Sequence, residues 1–228
     1  MPHKFDPAHM ARLESPERRR LIPTDLILGV FGLGPSETVV DVGAGIGLFS
    51  FEAARLVGPS GKVLALDTSE EMLAELGRRI EASGLSNLAA LRSREYEFPL
   101  ESTMADLVIL STVLHEVDEP RRLLEEISRI LKPGGRIGIV EWQPEGPPVG
   151  GAPGQAEGQG HEDGGGPDHG HGGGHGHGHQ HGGGRGHPEW LAPATSLSHV
   201  AEAGFGEALL RELNERVYLV RATKTPGR

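Results

Sequence analysis

The chain has 228 residues, of which 36% are hydrophobic and 24% charged, enough for one globular domain with a substantial core. Its formal charge of −10 has the wrong sign for a nucleic-acid partner, because phosphate binding needs a basic face. With no cysteine there are no disulfides, thiolate metal sites or cysteine nucleophiles; no stretch is apolar for long enough to cross a bilayer, so the sequence reads as cytoplasmic, with no membrane partner.

From Leu13 to Val30 the pattern is helical, with Ser15 as a cap, Pro16 in the first turn and Pro23 dividing the segment into two short helices. Arg18, Arg19 and Arg20 read as a solvated helix face. TVVDVGAG (38–45) is a buried strand running into glycines, IGLFSFEAARLVG (46–58) a helix and KVLALD (62–67) a strand. TSEEMLAELGRRIEASG (68–84) is a helix with Thr68 and Glu71 at capping-box spacing and Gly84 as its stop. LAAL (88–91) is a weaker strand; ADLVILS (105–111) is a strong one whose continuous apolar character predicts burial on both faces. EPRRLLEEISRILKPGG (119–135) is an amphipathic helix and RIGIVEW (136–142) a further strand. Strands alternating with helices in this way predict a parallel sheet covered on both sides.

Periodicity then vanishes. Residues 143–188 hold nineteen of the 35 glycines and eight of the 12 histidines, including GGGHGHGHQHGGG at 172–184. Such a segment lacks the apolar content to offset ordering entropy, so disorder is the expectation. Helical character resumes over 191–205. EALLREL and RVYLVRAT flank Asn214–Glu215 as a closing antiparallel hairpin, although the leucine-rich first arm also fits a helix. One domain therefore results, made of 1–142 and 189–228 with 143–188 inserted.

Chemistry concentrates in VVDVGAGIGLFS (39–50). Glycines there allow backbone angles closed to other residues and let a ligand lie against the main chain. The following helix start offers unpaired amides. Twenty residues beyond Gly47, Asp67 ends the second strand, where a carboxylate can accept both hydroxyls of a ribose. A dinucleotide fingerprint wants its third glycine three places after the second, whereas here they fall at 43, 45 and 47, with leucine at 48. Asp41 also places negative charge beside the loop, which disfavours a pyrophosphate and suits a ligand with an amino group and a sulfonium. An NAD-dependent oxidoreductase is accordingly the less favoured reading.

In DVGAGIG, Asp67, ADLVILS and the turn LKPGG before RIGIVEW, the chain resembles the class I S-adenosylmethionine-dependent methyltransferases, and FDPAHMARLESPERR and STVLHEVDEP resemble a bacterial small-molecule subgroup of them. The resemblance covers Thr38 to Trp142. It implies an α/β fold with a Rossmann-like, doubly wound seven-stranded sheet, mostly parallel with one antiparallel strand. It further implies that Asp41, Gly43 and Gly45 surround the methionine moiety of S-adenosylmethionine and that Asp67 holds the ribose. Ala44, Gly47, Thr68, Ser111 and Glu95 complete the expected cofactor contacts, Glu95 standing beside Arg94, where the family often has an aspartate near the adenine.

Methyl transfer is an in-line displacement at carbon, so the protein mainly aligns the reactants and excludes water. A base is needed only if the acceptor must lose a proton. His115, Glu116 and Glu141, following the fourth and fifth strands, are the candidate catalytic residues, each with a structural alternative in packing, helix initiation or backbone bonding. Phe5, His9 and Met10 belong either to a lid over the acceptor or to a frayed terminus. Trp142 and Trp190 bracket the insertion and fit either the acceptor pocket or the core. The expected acceptor is a small molecule; arsenite is disfavoured because no thiolate is present to ligate it. The oligomeric state is open.

Neutral imidazole is a good ligand for zinc, nickel and copper(II). His169, His171, His175, His177, His179 and His181 are therefore expected to bind such ions flexibly, without the fixed geometry a catalytic metal needs. A metal-buffering protein on a methyltransferase-like fold is the alternative reading.

Overall fold

In the computed structural model, which describes residues 5–144 and 190–225, a 3-10 segment over Pro7–Glu14 leads into helices α1 (Pro16–Leu21) and α2 (Thr24–Val30). Strand β1 (Thr38–Val42), helix α3 (Leu48–Val57), strand β2 (Lys62–Asp67), helix α4 (Glu70–Ser83) and strand β3 (Leu88–Arg92) follow. The chain continues through β4 (Ala105–Ser111), α5 (Pro120–Ile130), β5 (Leu131–Trp142), α6 (Pro193–Glu202), β6 (Phe205–Asn214) and β7 (Val217–Lys224).

The strands form one seven-stranded sheet in the order β3-β2-β1-β4-β5-β7-β6. Strand β7 pairs antiparallel with both β5 and β6, and the other neighbours pair parallel. This is the expected doubly wound sheet with one reversed strand. Side chains alternate between its faces: Val40, Val42, Val108 and Leu110 pack with Leu124, Ile127 and Val200 of α5 and α6, whereas Val39, Leu107 and Ile109 pack with Leu28, Phe49, Ala53 and Leu76 of α2, α3 and α4. Strand order reverses between β1 and β4, so the connections leaving their carboxyl ends diverge and open a crevice, the place where open α/β sheets bind ligands.

Several elements differ from the sequence expectation. Helix α3 starts at Leu48, because Gly47 turns through a left-handed φ of 91° before helical geometry begins. Ser69 rather than Thr68 caps α4: its Oγ accepts from Met72 N at 3.2 Å, and Glu71 bonds back to that hydroxyl. Helix α5 ends at Ile130, five residues early. Leu131 already pairs with Ala105 on the sheet, and the buried Lys224 Nζ donates to the carbonyls of Ser128 and Leu131, ending the helix from outside. The leucine-rich arm is strand β6, whose pairing with β7 overrides its helical propensity.

No described helix is long and apolar enough to cross a membrane. The expected metal ligands His169, His171, His175, His177, His179 and His181, and nearly all of the 143–188 insertion, lie outside the described residues.

Candidate active site

The β1–α3 connection is held in shape by its own backbone. Ala44 N donates to Leu66 O and Gly47 N to Ala44 O, both at 2.9 Å, and Gly43, Gly45 and Gly47 all adopt positive φ. The three glycines nevertheless do different things. A β-carbon at Gly43 would fall 2.5 Å from Val113 Cγ2, and one at Gly47 would fall 2.7 Å from Leu76 Cδ1. Both positions are therefore filled by the protein itself. At Gly45 the nearest neighbour is a single methyl, Leu13 Cδ1 at 3.3 Å. Gly45 is buried, and what stands against it is the flexible end of the Leu13 side chain rather than packed core.

Asp67 ends β2 beside this loop, its Oδ2 accepting from Gly45 N at 2.8 Å and its Oδ1 from Ser69 N at 2.9 Å. Each oxygen keeps a second lone pair for further donors. Thr68 is exposed next to it. Past β3, the Arg94 side chain is turned out to an ion pair with Glu97, whereas Glu95 is half-buried and accepts from the Tyr96 hydroxyl.

Asp41 lies under the loop rather than open to it: it is 2% exposed, and Ser50 Oγ donates to its Oδ2 at 2.6 Å. Burial pushes its pKa up to about 7, with the Asp67 charge adding to the shift. Raised above the ordinary 3.8, the group contributes stability that is complete below the unfolded value and is lost as pH rises through about 7. Asp41→Asn is expected to raise Tm at pH 8 by roughly 5 °C, the response of a chain of this size to about 2 kcal/mol, and to leave it unchanged at pH 4. Equal shifts at both pH values would contradict this account.

A second cluster stands at the carboxyl ends of β4 and β5. Glu141 is fully buried; its Oε1 accepts from Leu114 N at 2.9 Å and its Oε2 lies 2.7 Å from His115 Nδ1. A carboxylate only accepts, so the ring proton sits on Nδ1 and Nε2 carries the lone pair. Burial opposes charging the ring, but the Glu141 and Glu116 carboxylates outweigh it and hold the His115 pKa above its ordinary value. Glu116, 3.9 Å from Nε2, is pushed up to about 7 by burial. Trp190 meets the His115 ring edge to face with centroids 4.9 Å apart, and Trp142 lies 6.2 Å from Trp190. The two tryptophans bracketing the insertion therefore wall the same cluster.

The N-terminal segment closes over both groups. Phe5 N donates to Glu116 Oε2 at 3.4 Å, Leu13 covers Gly45, and Glu14 pairs with Arg79 of α4 at 2.7 Å. Arg18 corrects the reading of a solvated arginine face. Arg19 and Arg20 are exposed, but Arg18 turns inward, its Nη2 donating to Thr112 Oγ1 at 3.1 Å and its guanidinium lying 5.3 Å from the Trp142 ring. The sequence carries a weak trace of this, since α1 places position 18 a full turn from Ser15 and away from 19 and 20.

Residues 40–139 match the family described as "Methyltransferase domain". The match takes in the glycine loop and Asp67. Over this stretch, less than half of its length, the chain is similar to methyltransferase domains. Its likeness extends to a crystal structure of a SAM-dependent methyltransferase from Aquifex aeolicus, 26% identical, with a TM-score of 0.76 over 97% of this chain and 100% of that one. Over 104 residues the chain is 34% identical to a demethylmenaquinone methyltransferase of Lactococcus lactis, covering 46% of this chain and 41% of the relative. Over 109 residues it is 31% identical to an arsenite methyltransferase of Halobacterium salinarum, covering 48% of this chain and 28% of the relative. The chain thus spans less than half the length of these curated relatives.

Proposed function

We propose that the protein transfers a methyl group, in line, from S-adenosylmethionine to a small-molecule acceptor. The observation that carries this reading is the placement of the Gly45–Asp67 contact at one edge of the crevice and the His115–Glu141 pair at the other. The residues present fit the cofactor: Asp67 has lone pairs to spare, only the flexible end of Leu13 stands against Gly45, and the buried Ser111 Oγ at the end of β4 has no partner among the described residues. Asp67 would hold the ribose hydroxyls, Gly43, Ala44, Gly45, Gly47 and Ser111 the methionine end with Asp41 beneath, and Thr68 and Glu95 the side toward the adenine. Bound there, S-adenosylmethionine supplies a methyl group already activated by its sulfonium.

The chain's own part is alignment, exclusion of water and proton removal. Trp142, Trp190 and the N-terminal segment keep solvent from the cluster. His115 Nε2 takes a proton from the acceptor's nucleophile, while Glu141 fixes the ring and offsets the charge that forms. Glu116, with its pKa near 7, holds a second proton close by. A cysteine-free chain gives arsenite no soft ligand, so the reading favours an oxygen, nitrogen or carbon acceptor. The histidine-rich insertion is read as a non-catalytic tract for zinc, nickel or copper(II), supported by its ligand chemistry alone.

Calorimetric titration with S-adenosylmethionine tests the proposal, before and after deleting 150–187. Absence of binding by both proteins would refute it, and unchanged affinity after the deletion separates the tract from the cofactor site. Asp67→Ala is expected to weaken binding roughly hundredfold, as loss of two charge-assisted hydrogen bonds requires; affinity within threefold of wild type would remove Asp67 from the site. Mass spectrometry of a cell extract incubated with enzyme and isotopically labelled donor then identifies the acceptor.

A further inference from the structure

Arg18 is held in an arrangement that its protein partners do not explain. Its Nε is completely enclosed and has no hydrogen-bond partner among the described residues. Its Nη2 bonds a neutral hydroxyl, Thr112 Oγ1, and no described carboxylate lies within ion-pair distance. A guanidinium carries five donors in a planar fork suited to a bidentate oxyanion, and enclosing such donors without acceptors is costly. The hydroxyl it does bond is fixed in position. Thr112 has a φ of 57°, a left-handed conformation that a β-branched residue rarely adopts, and its N–H is tied to Val140 O at 2.8 Å. Next to it in the chain, Ser111 Oγ is likewise enclosed and unpartnered. Unsatisfied polar atoms therefore stand on two residues next to Thr112 at the carboxyl end of β4: Arg18, bonded to its hydroxyl, and Ser111, its neighbour in the chain.

Charge identifies what belongs there. The Asp67 and Glu141 carboxylates stand at the crevice, which suits an ammonium group and repels a carboxylate. The methionine end of the cofactor carries both. Of the cationic groups in the cluster, His115 is engaged by Glu141, which leaves Arg18 to offset the cofactor's negative end.

We propose that Arg18 binds the carboxylate of S-adenosylmethionine, with Ser111 Oγ as a second donor, an inference that rests on the methyltransferase reading. The N-terminal segment then belongs to the cofactor site. Leu13 over Gly45, the Glu14–Arg79 pair and the Arg18 fork close one binding face, and that face comes from residues preceding the matched methyltransferase region at 40–139. A purely structural role, in which Arg18 balances Glu116 and Glu141 and packs on Trp142, predicts something different: its loss would weaken every ligand of the crevice alike.

The test compares S-adenosylmethionine with decarboxylated S-adenosylmethionine, which lacks only the carboxylate, by calorimetry on the full chain. Wild type is expected to prefer the carboxylated ligand at least tenfold. In Arg18→Gln the affinity for S-adenosylmethionine falls at least tenfold, that for the decarboxylated ligand stays within threefold, and the preference collapses; Arg18→Lys retains part of it. Parallel loss for both ligands, or equal wild-type affinities, overturns the proposal. Should Arg18→Gln fail to fold, the Arg18→Lys comparison and the wild-type preference still decide it. A wild-type protein that binds neither ligand refutes the methyltransferase reading itself, an outcome distinct from binding without preference.

Discussion

Gly45→Val is expected to abolish S-adenosylmethionine binding, with no saturable heat at ligand concentrations a hundredfold above the wild-type Kd. Two effects act together. The position has a φ of 54°, where a residue with a side chain is destabilised by about 1–2 kcal/mol, and more when it is β-branched. The new methyl groups also project from the loop against which the cofactor is proposed to lie, and the methyl of Leu13 already stands 3.3 Å from the ideal β-carbon. Leu13 is the far end of a flexible side chain and can yield, so the fold survives; circular dichroism should report an intact spectrum. Gly43→Ala provides the contrast. Its β-carbon would fall 2.5 Å from Val113, so its loss should appear in Tm as well as in binding. Near-normal affinity in Gly45→Val would mean that the cofactor lies elsewhere.

His115→Gln is expected to lower kcat by about 10²–10⁴-fold, the usual worth of a positioned general base, with cofactor affinity within threefold of wild type. Glutamine can still bond Glu141 but has no nitrogen that takes up a proton near neutrality. The pH profile separates a base from a packing role. His115 acts as a base only when Nε2 is free, and its pKa is held above the ordinary 6.5 by Glu141 and Glu116 against the opposing effect of burial. Activity should therefore rise with pH on an acid limb displaced upward from that value. Glu141→Gln removes the first of the two raising carboxylates, so the limb should move to lower pH even as the maximal rate falls. An unmoved limb, or full activity in His115→Gln, would show that the acceptor loses its proton without this residue.

The candidate active-site residues came from opposite ends of what a sequence can carry. His115 and Glu141 are 26 residues apart and share no motif spacing. Each was visible as a titratable group after a strand, but their 2.7 Å contact exists because β4 and β5 are adjacent and in parallel register. Trp190 is further removed still, lying beyond the insertion, and it reaches His115 only through the tertiary fold. Arg18 reads from the sequence as one of three solvated arginines; its offset from positions 19 and 20 around α1 is only a weak sign that it turns inward.

Local interactions made the rest of the pattern legible. The glycine loop, Asp67 after β2 and the alternation of strands with amphipathic helices follow from backbone sterics and hydrophobic periodicity, which act over a few residues, and together they determined the sheet and the cofactor edge of the crevice. Only the tertiary structure decided how each loop glycine is packed, because Val113 and Leu76 come from other elements to fill the space at Gly43 and Gly47, while Leu13 stands against Gly45. It also decided where α5 ends, because the group that ends it is Lys224, 93 residues beyond Leu131, and it turned Asp41 from an open charge into a buried carboxyl with a pKa near 7. In each case the deciding partner is distant in sequence, and burial and contact across that distance exist only once the sheet has assembled.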